Sequence, residues 1–117
     1  MTYLKPILHA PETAPEQVAP PAERVVSGDP SFQVWRQDDD RDGAIRSGIW
    51  QAAPGAFRIA KDGSYEFCHI LQGVVELTED GQPPMTYRAG DSFVMKPGFQ
   101  GVWNSLEPVR KVFVISD

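Results

Sequence analysis

The sequence holds one cysteine, Cys68, and two histidines, His9 and His69, in 117 residues. A single cysteine excludes an intrachain disulfide framework and a thiolate metal cage, and it fits a reducing compartment. Basic residues are outnumbered, 11 Lys and Arg against 16 Asp and Glu, for a net charge of -5. With no dense basic patch, that balance argues against nucleic acid or an anionic membrane as partner. No window approaches the apolar length of a membrane span, and the first residues lack the apolar core of a signal peptide. These absences predict one soluble, acidic, cytoplasmic domain, long enough to bury a core.

Amphipathic helical periodicity is missing too. From Ser31 onward short β-rich runs recur between turn residues: Phe32–Trp35, Ile45–Gln51, Ala56–Ile59, Tyr65–Leu71, Val74–Thr78, Met85–Arg88, Ser92–Met95, Gly101–Asn104 and Val109–Ile115. Pairs such as Asp42-Gly43, Pro54-Gly55, Asp80-Gly81 and Pro97-Gly98 separate them. This spacing predicts an all-β sandwich or barrel over residues 31–117. Glu79-Asp80-Gly81-Gln82 reads as a hairpin turn, because glycine takes positive φ at little cost. Residues 1–30 differ. Six of the eleven prolines lie there, which favours extended backbone and predicts a proline-rich N-terminal arm. Such an arm either trails loosely or lies along its own barrel or a neighbouring subunit, with Tyr3, Leu4, Ile7 and Leu8 as apolar anchors.

Asp38-Asp39-Asp40-Arg41-Asp42-Gly43 opens like a calcium loop. The twelfth position of such a loop needs a bidentate glutamate, and here it is Ile49. A solvated acidic turn is the better reading.

The richest stretch is Tyr65–Leu77, where Glu66 stands in an apolar and aromatic run. A buried charge needs a partner or a ligand. Arg58 and Arg110 are candidate partners. Without one, desolvation would raise the carboxyl pKa and suit Glu66 to acid–base chemistry or to binding an amine. Strand alternation puts Glu66 and Cys68 on one face and Phe67 and His69 on the other. Cys68 thereby lines the same interior as Glu66, and His69 faces away.

Glu66, six intervening residues and Gly73 match the second half of the first cupin motif. Gly90-Asp91, Lys96-Pro97-Gly98 and Gly101-Val102-Trp103 match the second motif. With Gly48-Ile49-Trp50, Pro54-Gly55-Ala56-Phe57 and Val109-Arg110-Lys111, these segments resemble the small single-domain cupins related to the (S)-ureidoglycine aminohydrolase cupin domain. The resemblance implies an RmlC-like cupin jelly roll with its ligand site inside the barrel mouth. Metal-binding cupins carry two histidines before the motif-one glutamate and a third in motif two. Those positions fall here at Ile59 or Ala60, at Lys61 or Asp62, and at Gly101. No protein-bound metal or other cofactor is therefore expected.

Trp103, two residues after Gly101, is expected to face the interior with Trp50 and Phe57. The reading is a cupin that binds a small polar or nitrogen-containing metabolite, with Glu66 as anchor and Trp50, Phe57, Cys68 and Trp103 around it. Whether it is an enzyme stays open. The alternatives are a metal-dependent, aminohydrolase-like enzyme of ureide metabolism, with Glu66 catalytic, or a non-catalytic structural or regulatory dimer. A homodimer is expected in any case, through arm exchange or edge-strand contacts.

Overall fold

A computed structural model of the chain describes residues 2–117. Turn residues divide it into antiparallel strands. Arg41, Asp42 and Gly43 all take positive φ, at 52°, 57° and 86°, and close the hairpin between β3 (Phe32–Asp40) and β4 (Ile45–Ala52). The acidic run is thus the end of β3 and the turn after it, and Asp38 forms a 3.2 Å ion pair with Lys5. Gly81 (φ 82°) closes the turn in which the Gln82 N–H donates to the Glu79 carbonyl at 2.9 Å.

The remaining strands are β1 (Glu16–Val18), β2 (Val25–Gly28), β5 (Gly55–Ala60), β6 (Tyr65–Gln72), β7 (Val74–Glu79), β8 (Met85–Arg88), β9 (Ser92–Met95), β10 (Gln100–Ser105) and β11 (Val109–Ser116). They form a six-stranded sheet, β1-β3-β4-β11-β6-β9, and a five-stranded sheet, β2-β5-β10-β7-β8. This is the two-sheet jelly roll expected, and both sheets are antiparallel throughout. No helix among the described residues is long and apolar enough to cross a membrane.

Alternation sorts the side chains. In β6, Glu66, Cys68 and Ile70 are buried between the sheets, while Phe67 and His69 are half-buried on the outer face. There the His69 Nδ1 lies 2.6 Å from the Ser92 Oγ. In β11, Val109, Lys111 and Phe113 are buried and Arg110 and Val112 are not. The core comprises Phe32, Phe57, Ile70, Val75, Leu77, Met95, Trp103 and their neighbours.

Gly73, which ends motif one, takes φ 92°, and a Cβ there would meet the Pro108 carbonyl oxygen at 2.1 Å. Glycine is required on both counts.

The first thirty residues are more structured than their composition foretells. β1 pairs with β3, and β2 pairs with β5, so this segment supplies an edge to each sheet. Ahead of β1 the chain lies on its own barrel. The Gln37 side chain accepts from the Leu8 N–H at 2.8 Å and donates to the Leu8 carbonyl at 2.7 Å. The Trp35 Nε1 donates to the Thr13 carbonyl at 2.8 Å, and Arg110 Nη1 donates to that of His9 at 2.6 Å.

Candidate functional site

Glu66 is 4% exposed and Lys111 5%, which makes them, with Ser105, the buried polar or charged residues among those described. Such groups persist in an interior only when their charges and hydrogen bonds are met. Here they meet each other. Lys111 Nζ donates to Glu66 Oε2 at 2.8 Å, and Lys61 Nζ donates to Glu66 Oε1 at 2.5 Å. The Cys68 thiol donates to Oε2 at 3.3 Å. Lys111 faces Ile70 across the β6–β11 ladder, and Glu66 faces Ile115. The two therefore meet diagonally along one sheet face, with Cys68 between them.

Aromatic rings complete the lysine's surroundings. Lys111 Nζ lies 4.4 Å from the ring centroids of both Trp50 and Trp103. A desolvated ammonium between two indole faces gains from both ring quadrupoles. Trp50 and Trp103 meet edge-to-face at 5.1 Å, and the Trp103 Nε1 donates to the Ser105 Oγ at 2.9 Å. Among the described residues no buried side-chain nitrogen or oxygen lacks a partner.

These contacts set the protonation states. Burial alone would raise the Glu66 pKa, but the charges of Lys111 and Lys61 outweigh it and hold the carboxyl at about 2. Burial pushes the Cys68 thiol up to about 12, with the Glu66 carboxylate adding to the effect against Lys111. Burial disfavours the Lys111 ammonium, yet Cys68 and Glu66 keep its pKa above the ordinary lysine value. At neutral pH the cluster is one carboxylate between two ammonium groups, beside a protonated thiol.

The cluster forms the floor of a cavity of about 400 Å3 between the sheets. Trp50, Phe57, Trp103 and Glu66 line it, together with Lys61 and Lys111. Glu16 and Val18 of β1 make part of the wall, as do Val34, Arg36 and Arg46. A second cavity of about 330 Å3, lined by Leu77, Tyr87, Phe93, Met95 and Phe99 among others, lies toward β8 and β9 and excludes the charged cluster.

Several expectations are corrected. Glu66 has cationic partners, but they are lysines. Arg58 sits on an exposed face, where it pairs with Asp80 at 2.6 Å. Arg110, outward by alternation, holds Gln51 and the N-terminal segment. The Glu66 pKa moves down rather than up, because two ammonium groups offset desolvation. Cys68 shares the Glu66 face but not the cavity: it is fully buried behind the carboxylate. Apart from these corrections, the space beside Gly101, a motif-two ligand position, is filled, since a Cβ there would meet the Thr78 carbonyl oxygen at 2.3 Å and the Phe99 ring at 2.9 Å.

Sequence reasoning passed over Lys61, Lys111, Arg36 and Arg46. The signal for Lys111 was its inward parity with Val109 and Phe113. For Lys61 it was its place at an upstream ligand position of motif one.

Cupins commonly hold a divalent metal on histidines and the motif-one glutamate, and the residues here do not fit one. Both Glu66 oxygens face ammonium groups, one of them on a residue at a ligand position. The backbone of β7 closes the space beside Gly101. Among the described residues no three His, Cys, Asp or Glu side chains group closely enough to ligate an ion.

Comparison with known proteins agrees with this fold. A Pseudomonas syringae protein of unknown function is similar over 94% of this chain and 46% of its own, at 20% identity and TM-score 0.83. The chain thus spans just under half of that protein's length. A Thermotoga maritima protein of the DUF861 family is 34% identical over 56% of this chain and 73% of its own, with TM-score 0.52. The EutQ protein of Clostridium difficile is 11% identical over 74% of this chain and 63% of its own, with TM-score 0.64. No curated protein sequence matches the chain. The EutQ-like cupin domain model matches residues 39–113, from the acidic run to the last buried residue of β11, and the chain belongs to that cupin family.

Proposed function

We propose that this domain is a metal-independent cupin that binds a small polar metabolite in the cavity between its sheets. The supporting observation is the coincidence of that cavity with the buried Lys61–Glu66–Lys111 cluster, since ligand sites join apolar walls to a few convergent polar groups. Trp50, Phe57 and Trp103 supply the apolar surface. Glu66 holds the two ammonium groups in place and does not itself take up the ligand, because both its oxygens are engaged. A ureide aminohydrolase-like reaction needs a carboxylate free for a metal or for proton transfer, which this Glu66 is not.

Thermal-shift screening of polar metabolites against the full chain and a Val34→Trp variant tests this reading. Val34 lines the cavity and its side chain carries no polar atom, so an indole there fills space without adding or removing a charge. A metabolite that raises Tm in the wild type but not in the filled variant is the expected result. Finding no stabilising metabolite, or one that stabilises both forms equally, overturns it.

A further inference from the structure

The donors of the cluster are unequally committed. A lysine ammonium has three N–H donors. Those of Lys111 are occupied by Glu66 and by two indole faces. Lys61 Nζ has one hydrogen-bond partner among the described residues, Glu66 Oε1, and Lys61 lines the cavity.

The arginines divide in the same way. Arg46 donates to the Gly43 carbonyl and to both Asp117 carboxylate oxygens. Arg36 lines the cavity, and its guanidinium has no hydrogen bond or ion pair to any described residue. Against these cations the wall sets two carboxylates, Glu66 on the floor and Glu16 on the exposed β1 edge. Lys61 and Lys111 share the single Glu66 charge and Arg46 is paired with Asp117, so Lys61, Lys111 and Arg36 stand against Glu66 and Glu16, and a half-enclosed apolar cavity with surplus positive charge favours an anion.

We propose that the ligand is a small organic anion, its charged head held by Lys61 and Arg36 and its apolar body against Phe57 and Trp50. This rests on the cavity reading above and narrows its ligand class.

Calorimetric titration of the full chain with benzoate, benzamide and benzylamine tests it, since the three probes share a ring and differ in charge. Benzoate is expected to bind at least about tenfold tighter than benzamide, and benzylamine not at all. Lys61→Met should lower benzoate affinity by about tenfold or more and leave benzamide binding unchanged, and Lys61→Arg should restore much of the loss. Arg36→Gln, at an exposed and unpaired residue, should weaken benzoate severalfold without affecting the fold. Equal binding of benzamide or benzylamine, no effect of either substitution, or no benzoate binding at millimolar concentration overturns the anion assignment. Failure of the cavity reading would instead show as a metabolite that stabilises the wild type and Val34→Trp alike.

Discussion

Replacing Glu66 by glutamine would leave two ammonium groups facing an amide in the barrel interior. Breaking a buried charge cluster from the side of its shared counter-ion is costly, and we expect Glu66→Gln to lower stability by about 3–5 kcal/mol in urea unfolding. Lys111→Met removes one of two cations and keeps the side-chain volume, so it should cost less. The double variant should then fall short of the summed single losses by about 2 kcal/mol, whereas additivity would show that the cluster is not an energetic unit. Acid provides an independent check. The folded pKa of Glu66, about 2, lies below its ordinary 4.5. Its stabilisation is therefore complete above pH 4.5 and is lost as pH falls toward 2, by about 3 kcal/mol in all. Urea midpoints followed across that interval should drop more steeply for the wild type than for Glu66→Gln. At this scale Glu66 was legible as the charge that needed explaining. Its partners were less so, because Lys111 reaches it diagonally across a register that only the folded sheet sets.

The β-strands from Ser31 onward could be read almost whole, since each is bounded by glycine, proline or aspartate. Most runs are extended by a residue at one end or both, and β3 continues to Asp40, where the acidic run becomes strand and turn. Two strands were hidden. β1 and β2, of three and four residues, lie among prolines and are too short to show alternation. Their pairing is tertiary: each covers an edge that β3 or β5 would otherwise leave open. Truncation separates the two halves of this segment. Removing residues 1–13 takes away the Trp35, Gln37 and Arg110 contacts and the Lys5–Asp38 pair, which are exposed, and should cost about 2 kcal/mol. Removing residues 1–28 uncovers both edges and a wall of the cavity, and should cost several times more. Equal urea midpoints for the two truncations would mean that β1 and β2 do not support the sheets.

At the scale of the whole molecule, Tyr3, Leu4 and Leu8 are more than half exposed on the N-terminal segment. Apolar side chains on an extended segment are a natural contact for a second copy, and we propose that the chain forms a homodimer through this surface. Sedimentation equilibrium should then give a dimer mass that falls toward the monomer on removing residues 1–13. An unchanged mass after truncation would exclude the segment as the contact.

The two indoles against Lys111 carry a spectroscopic consequence. Trp50 and Trp103 flank one ammonium on the cavity floor, while Trp35 lies on the opposite face of β3 beneath the Arg110 guanidinium, 5.2 Å away. Of the chain's three tryptophans, two thus report on the interior and one on the outside. A shift of the cluster would alter the emission of the first pair together and spare the third. If the proposed ligand enters the cavity, no attached dye is needed to follow it, with Trp35 as the reference.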